Sequence, residues 1–489
     1  MKPDFIEHID YQNFVIKYLN EYYADGLLTF VNRDWPIIHK LWIADLSDVH
    51  NLLIETYAVK GPTGYPPSSM LRAYLLYLLV SPTIGLTKWV DQMKRVPLYA
   101  IISGFEPNKI PAIGTFYDFF NRLWLSEKDN THGHIKPKKR KKSKKKKPKK
   151  GEKAPINKPG IVERLVNRFF KYGSSSKEKP ADRLFSLFQS SFLHVSAAYG
   201  LLGDLTQFSV SGDGTPVKTA AQIRKKKLKN NELYFEYSQP DINTGWDSSR
   251  GMYYNGYDLY MLTACDSPND LPIFPKLNKA SMHDSVGFLL NLNDFHQRFD
   301  ICPVDKILLD AAHDAKAIYK LLNEHDTEAF IDLNKRTKFN FEGKSDITIS
   351  DLGIPVCSQK LEMKSNGFDY TQNRKKWRCP NAKGSTVNCP KPCSTAKYGR
   401  NFQTYPKDDL RMFTKIPRGS TKWKIIYNKR TSSERTNKRE KVDYHLESGH
   451  HRSSKMWHIR LYGIMMCQHI DAWYCHLEGA LDLQELVAL

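Results

Sequence analysis

Residues 427–441 read Tyr427-Asn-Lys-Arg430-Thr-Ser-Ser-Glu434-Arg-Thr-Asn-Lys-Arg-Glu-Lys441, with the spacing Y-x2-R-x3-E-x6-K. On a helix, Arg430, Glu434 and Lys441 fall at i, i+4 and i+11 and share one face. A carboxylate between two cations on one face suits a metal ligand flanked by phosphate-binding groups. A solvated helix held by i,i+4 ion pairs has the same composition, so the surrounding sequence has to decide. Just upstream, Trp423-Lys-Ile-Ile-Tyr427 reads as a strand, and Arg430 to Glu440 as a polar helix.

Two acids further upstream share a setting. Phe208-Ser-Val-Ser-Gly-Asp213 is an apolar strand ending in an acid and Gly214, and Ile307-Leu-Leu-Asp310 is another, followed by Ala311-Ala312. Gly256 to Cys265 and Ala329 to Leu333 read as further strands, and Ala315 to Leu322 as a helix. This alternation predicts an α/β layer with a partly parallel sheet. A carboxylate at the C-terminal end of such a strand points into the crevice where α/β sheets bind ligands. Two or three together suit hard divalent cations, and a pair of such ions serves phosphodiester chemistry. Taken singly, each Asp is equally a turn former that bonds its own backbone. Asp314 competes with Asp310, but it stands where a helix N-cap is expected, just before Ala315.

With Glu434 as the third acid, the sequence resembles the DDE transposases of bacterial and archaeal insertion sequences, in the group with the YREK signature. SGDGTPVKTA (211–220) resembles the block around the first acid, and LLDAAHDAKAIYKLL (308–322) the second block. Gly256-Tyr257, Pro272-Ile273 and Ala280-Ser-Met-His-Asp284 resemble the stretch between them, and Pro66-Pro67 through Trp124 the N-terminal domain. One departure is His313, which stands where Tyr or Phe is usual.

The resemblance implies an α/β fold: an RNase H-like mixed, five-stranded sheet flanked by helices, with a helical N-terminal domain and a β- and turn-rich insertion. It divides the chain into a helical DNA-binding domain (1–125), a basic linker (126–182), the first part of the catalytic core (183–334), the insertion (335–420) and the rest of the core (421–489). It puts Asp213 on the first strand, Asp310 after the fourth and Glu434 on a later helix. These three would hold two Mg²⁺ or Mn²⁺ ions, with Tyr427, Arg430 and Lys441 contacting DNA near the cleaved end. The implied partners are double-stranded DNA, as terminal inverted repeats and as target, and a second copy of the chain in a synaptic homodimer. The implied location is the cytoplasm, on the nucleoid. In relatives the signature accompanies a hairpin step during excision.

The composition agrees. The 489 residues include 74 Lys and Arg against 52 Asp and Glu, a net charge of +22. At roughly 150 residues per domain that length suggests about three domains. The charge excludes a calcium buffer or similar scavenger and favours a polyanion partner. It is concentrated. Residues 136–150 (KPKKRKKSKKKKPKK) hold 12 basic residues and no acid, and residues 421–460 carry +7. The lysine run, with Pro155, Pro159, Pro180 and Ser174 to Ser176 nearby, reads as a linker with sequence-blind affinity for phosphates. Within it, Ile161 to Tyr172 reads as one short helix.

Four of the eight cysteines, Cys357, Cys379, Cys389 and Cys393, fall inside the insertion with spacing C-x21-C-x9-C-x3-C. Four thiolates can close a structural Zn²⁺ site in a core-poor segment. The spacing is not that of paired C-x2-C knuckles, so free cysteines stand as the alternative. The longest apolar run, Ala73 to Val80, is far short of the roughly 18 residues a membrane span needs. The N-terminus lacks the apolar stretch of a signal peptide. Two other functions remain open: a DNA-binding protein that has lost catalysis, and a nuclease on the same fold that cleaves without strand transfer.

Overall fold

A computed structural model describes residues 1–125, 159–173, 177–227, 233–239, 241–335, 346–381, 387 and 389–477. The lysine run lies outside the described residues. Eight strands belong to the central region: β1 (Ser209–Lys218), β2 (Ile223–Lys227), β3 (Leu233–Tyr237), β4 (Asn243–Asp247), β5 (Met252–Ala264), β6 (Pro272–Lys279), β7 (Lys306–Leu309) and β8 (Glu328–Ile331). β1 pairs antiparallel with β5 and parallel with β7, and β7 pairs parallel with β8. β4 and β6 both pair antiparallel with β5, β4 along Met252 to Gly256 and β6 along Tyr257 to Thr263. They therefore fill one edge position in succession, and the expected five-stranded sheet has six strands. The order along the path is β4-β5-β1-β7-β8. This is the RNase H-like core. β2 and β3 form a separate ribbon carried on the connection between β1 and β4.

The sheet is covered on both faces, so its strands read as apolar runs instead of alternating ones. Leu259 to Leu262 are all buried, as are Ile307 to Leu309. The helix Lys316–Glu324 carries the chain from β7 back to β8, the crossover that parallel neighbours require. The helix Asp284–Phe295 follows β6 and buries Val286, Phe288, Leu289, Leu292 and Phe295, with Ser285, Gly287, Asn291 and Asp294 buried as well, so it is covered on most sides.

Seven helices lie between His8 and Arg122. Pro67 stands at the first position of the helix Pro67–Val80, where its missing N–H costs nothing. These helices share one core with the sheet, closed by the helix Ser454–Leu477. Gly463 lets that helix lie directly on the N-terminal group, since a Cβ there would come within 2.5 Å of Leu78 Cδ1. Arg460 donates to the Tyr77 hydroxyl and the Pro82 carbonyl, and Lys40 pairs with Asp471 at 2.8 Å. His469 ties the same helix to the sheet, through Ser196 Oγ on Nδ1 (2.7 Å) and the Pro272 carbonyl on Nε2 (3.0 Å). Within the expected linker, Ile161–Tyr172 is a helix with Val166 buried.

Between β8 and Thr421 the insertion holds β9 (Thr348–Ile349), β10 (Pro355–Val356), β11 (Lys364–Asp369), β12 (Arg374–Arg378) and β13 (Asn401–Thr404). They form a two-stranded and a three-stranded sheet, as expected for a β- and turn-rich segment.

Three local expectations are corrected. Trp423 to Tyr427 is not a strand but part of the helix Thr421–Asn428. Ser420 Oγ caps it by accepting from the Trp423 N–H, and Trp423, Ile426 and Tyr427 make its inner face while Ile425 is exposed. Asp213 is not at the end of its strand, because β1 continues to Lys218. Asp314 does not cap a helix; Ala315 holds that position.

Candidate active site

β1 carries Asp213, and Asp310 directly follows the neighbouring parallel strand β7. Ser211 lies opposite Leu308, so the register brings both acids to the same end of the sheet. They are close enough to repel. Asp213 is pushed up to about 7, first by burial, then by the charges of Asp310 and Asp284, with Arg430 and His313 opposing. For Asp310 burial also raises the pKa, but the His313 hydrogen bond and charge outweigh it, helped by the Ala312 N–H and Arg430. The net shift is downward. The two acids thus hold their protons differently across one narrow gap.

His313 is 1% exposed and uses both ring nitrogens. Nδ1 lies 2.6 Å from Asp310 Oδ1, and Nε2 lies 2.9 Å from the Tyr260 hydroxyl. Burial and four surrounding carboxylates keep the Tyr260 phenol protonated. Nδ1–H donates to the ionised Asp310, and Nε2 shares a hydrogen bond with the Tyr260 hydroxyl. This residue was noted from the sequence only as a departure. It fixes the orientation of Asp310.

Two acids were not anticipated as part of the site. Asp258, on β5, is 6% exposed and is pushed up to about 8 by burial and by Asp284 and Asp213. Asp284, in the first turn of the helix Asp284–Phe295, is also raised, by burial first and with Asp310 contributing. The available signal was an acid inside the otherwise apolar run Tyr257-Asp258-Leu-Tyr-Met-Leu262, where burial on both faces makes a charge costly.

The Tyr427–Lys441 stretch is broken into pieces: the helix Thr421–Asn428, the helix Thr431–Lys438, and a wider turn over Arg439–Asp443. Arg430 and Glu434 are paired at 2.7 Å in the expected i,i+4 relation, with the Glu434 side chain half-exposed. Arg430 also lowers both Asp213 and Asp310, and so links Glu434 to them electrostatically. Asn437, one turn on, donates to Asp213 Oδ2 at 3.2 Å. Lys441 does not share their open face. Its Nζ donates to the Pro216 carbonyl at 2.8 Å and lies 3.8 Å from Glu447. Tyr427 stacks on Trp423, with ring centroids 4.7 Å apart, beneath the Arg430 guanidinium.

Asp314 faces away from this cleft. Its side chain is fully buried, pairs with Arg411 of the insertion at 2.9 Å, and accepts from the Tyr319 hydroxyl and the Asn334 N–H. The four insertion cysteines are free thiols, Cys357 and Cys389 buried and Cys393 exposed. Among the described residues, no three His, Cys, Asp or Glu side chains are drawn together tightly enough to hold a metal ion as they stand. The four-cysteine Zn²⁺ centre is therefore not assembled. The aspartate cleft differs in its chemistry. Its donors are hard carboxylate oxygens, and their mutual repulsion, visible in Asp213, is what a divalent cation relieves. Such a cation fits there.

An RNase H-like sheet with one acid within β1 and another just after the neighbouring parallel strand β7 is the arrangement of enzymes that break and join phosphodiester bonds. Residues 210–469 match the transposase DDE domain family, which covers more than half of the chain. The chain belongs to that family, is a transposase of a mobile element, and has DNA as its partner. Enzymes of this family generally use divalent metal ions. No match was found among curated proteins. No described helix is long and apolar enough to cross a membrane.

Proposed function

We propose that the chain binds the terminal inverted repeats of its insertion sequence, cleaves the DNA there and joins the freed 3′-hydroxyl to target DNA. The observation that supports this reading most directly is the pair Asp213 and Asp310, one within β1 and one just after the neighbouring β7, with Arg430, Glu434 and Asn437 facing it from one helical segment. Asp213, Asp310 and Glu434 would hold two Mg²⁺ or Mn²⁺ ions. Bound there, such ions supply activation of a water or 3′-hydroxyl and stabilisation of the leaving oxygen.

The protein's own groups do the rest. His313, backed by Tyr260, holds the Asp310 carboxylate in one rotamer. Arg430 releases Glu434 toward the acids when a phosphate takes the guanidinium, because a guanidinium forks onto phosphate as readily as onto carboxylate. Tyr427 offers an aromatic face beneath it. The helices of residues 1–125 serve as the DNA-binding domain, residues 126–182 link it to the core, and two copies meet in synapsis.

The test uses element-end DNA carrying the flanking repeats. Asp213→Asn, Asp310→Asn and Glu434→Gln should each reduce cleavage to background while DNA binding, read by gel shift, stays within a few-fold. Cleavage without joined products would favour the nuclease reading. Full activity in all three variants would remove the assignment.

A further inference from the structure

The cleft holds more carboxylates than the three named above. A Cβ added at Gly214, the residue after Asp213, would stand 2.7 Å from Asp284 Oδ1 and 3.2 Å from Asp258 Oδ1. Both oxygens therefore face the same point beside the first acid, and the glycine keeps that point open. Asp284 feels His313 and Asp310 as well as its own burial, so it borders both acids. Asp258 is more than nine-tenths buried, and its Oδ2 has no hydrogen-bond partner among the described residues. Burial and the neighbouring acids outweigh the Asn278 side chain that bonds it, and a carboxyl held so in a dry site is costly. An acid in a first helical turn is ordinarily accounted for by the helix dipole. That does not explain why a second acid with no cation beside it is buried against it, with a glycine between them and Asp213. Glu434, by contrast, already has a cation of its own and is half-exposed.

We propose that Asp284 is a further divalent-cation ligand of this cleft, with the buried Asp258 carboxylate behind it adding negative charge. The site then has Asp213, Asp284 and Asp310 as inner acids, and Glu434 closes it when DNA arrives. This rests on the reading that Asp213 and Asp310 bind metal.

The experiment is Mn²⁺ binding to the full chain without DNA, read by calorimetry and by the Mn²⁺-induced rise in melting temperature. Asp284→Asn should weaken Mn²⁺ at least about tenfold and shrink the rise, with the circular dichroism spectrum unchanged. Asp213→Asn is the reference and should do the same. If Asp213→Asn loses Mn²⁺ while Asp284→Asn binds it as the parent does, the inference about Asp284 is overturned and the reading of the site stands. If neither substitution changes Mn²⁺ binding, the reading of the site falls with it. Should Asp284→Asn fail to fold, Asp284→Ser carries the same comparison.

Discussion

Two sets of buried acids rest on the same sheet and are treated in opposite ways. Asp294 is held by Lys179, Lys276 and Arg298. Asp314 is clamped by Arg411 and two further donors. Asp213, Asp258 and Asp284 face mostly one another. Burial raises Asp310, four residues before Asp314, but His313 and Arg430 outweigh it, so it borders the crowded acids while having positive partners of its own. The compensated acids hold the structure together, and the crowded ones mark where a cation belongs. Burial alone does not separate them; the count of positive partners does.

The largest effect that sharpens the contrast is on stability. Arg411→Ala leaves the fully buried Asp314 without its cation and should cost about 3–5 kcal/mol in urea denaturation. Loss of less than about 1 kcal/mol would mean that Asp314 is not relying on the pair. Beside the crowded set, His313→Phe removes the ring nitrogen that holds Asp310 and frees that carboxylate to rotate. It should lower Mn²⁺ affinity or cleavage about 10–100-fold, the range for lost carboxylate support, with DNA binding unchanged in a gel shift.

The pH dependence differs in sign between the two sets. Asp213 and Asp258 titrate higher in the folded chain, at about 7 and about 8. Their contribution to stability is full below the ordinary carboxylate pKa and is lost as pH rises through 7 to 8. Burial raises the Asp294 pKa, but Lys276 and Lys179 outweigh it and the net shift is downward. Its contribution is present above the ordinary value and lost as pH falls. The urea midpoint of the metal-free chain should therefore fall more steeply toward alkaline pH than that of Asp258→Asn. Equal slopes would place the repulsion elsewhere. The smallest effect concerns Lys441. Its bonds to Pro216 and Glu447 leave it a supporting role. Lys441→Ala should weaken DNA binding uniformly and reduce the salt slope by no more than about one phosphate contact.

Much of this was legible in the sequence because it depends on local pattern. Apolar runs ending near Asp213 and Asp310 gave the central strands, and the spacing of Arg430 and Glu434 gave their ion pair. Trp423 to Tyr427 misled because Trp-Lys-Ile-Ile-Tyr is rich in the aromatic and β-branched residues that strands favour. The capping serine at 420 and the neighbouring Phe330 on β8 select a helix instead. Asp258 and Asp284 were invisible as site residues because their meaning comes from a pairing across β1, β5 and a helix far apart in the chain. No periodicity reports which acids share a cleft, or which of them has been given a cation.

The helix Ser454–Leu477 has a consequence for biosynthesis. It is the slab on which both the N-terminal helices and the sheet rest, through Gly463, Arg460 and His469. The N-terminal helices and the sheet therefore have no closed core until this helix is made. Until that helix emerges, apolar faces of the earlier helices wait uncovered, the condition under which large chains aggregate.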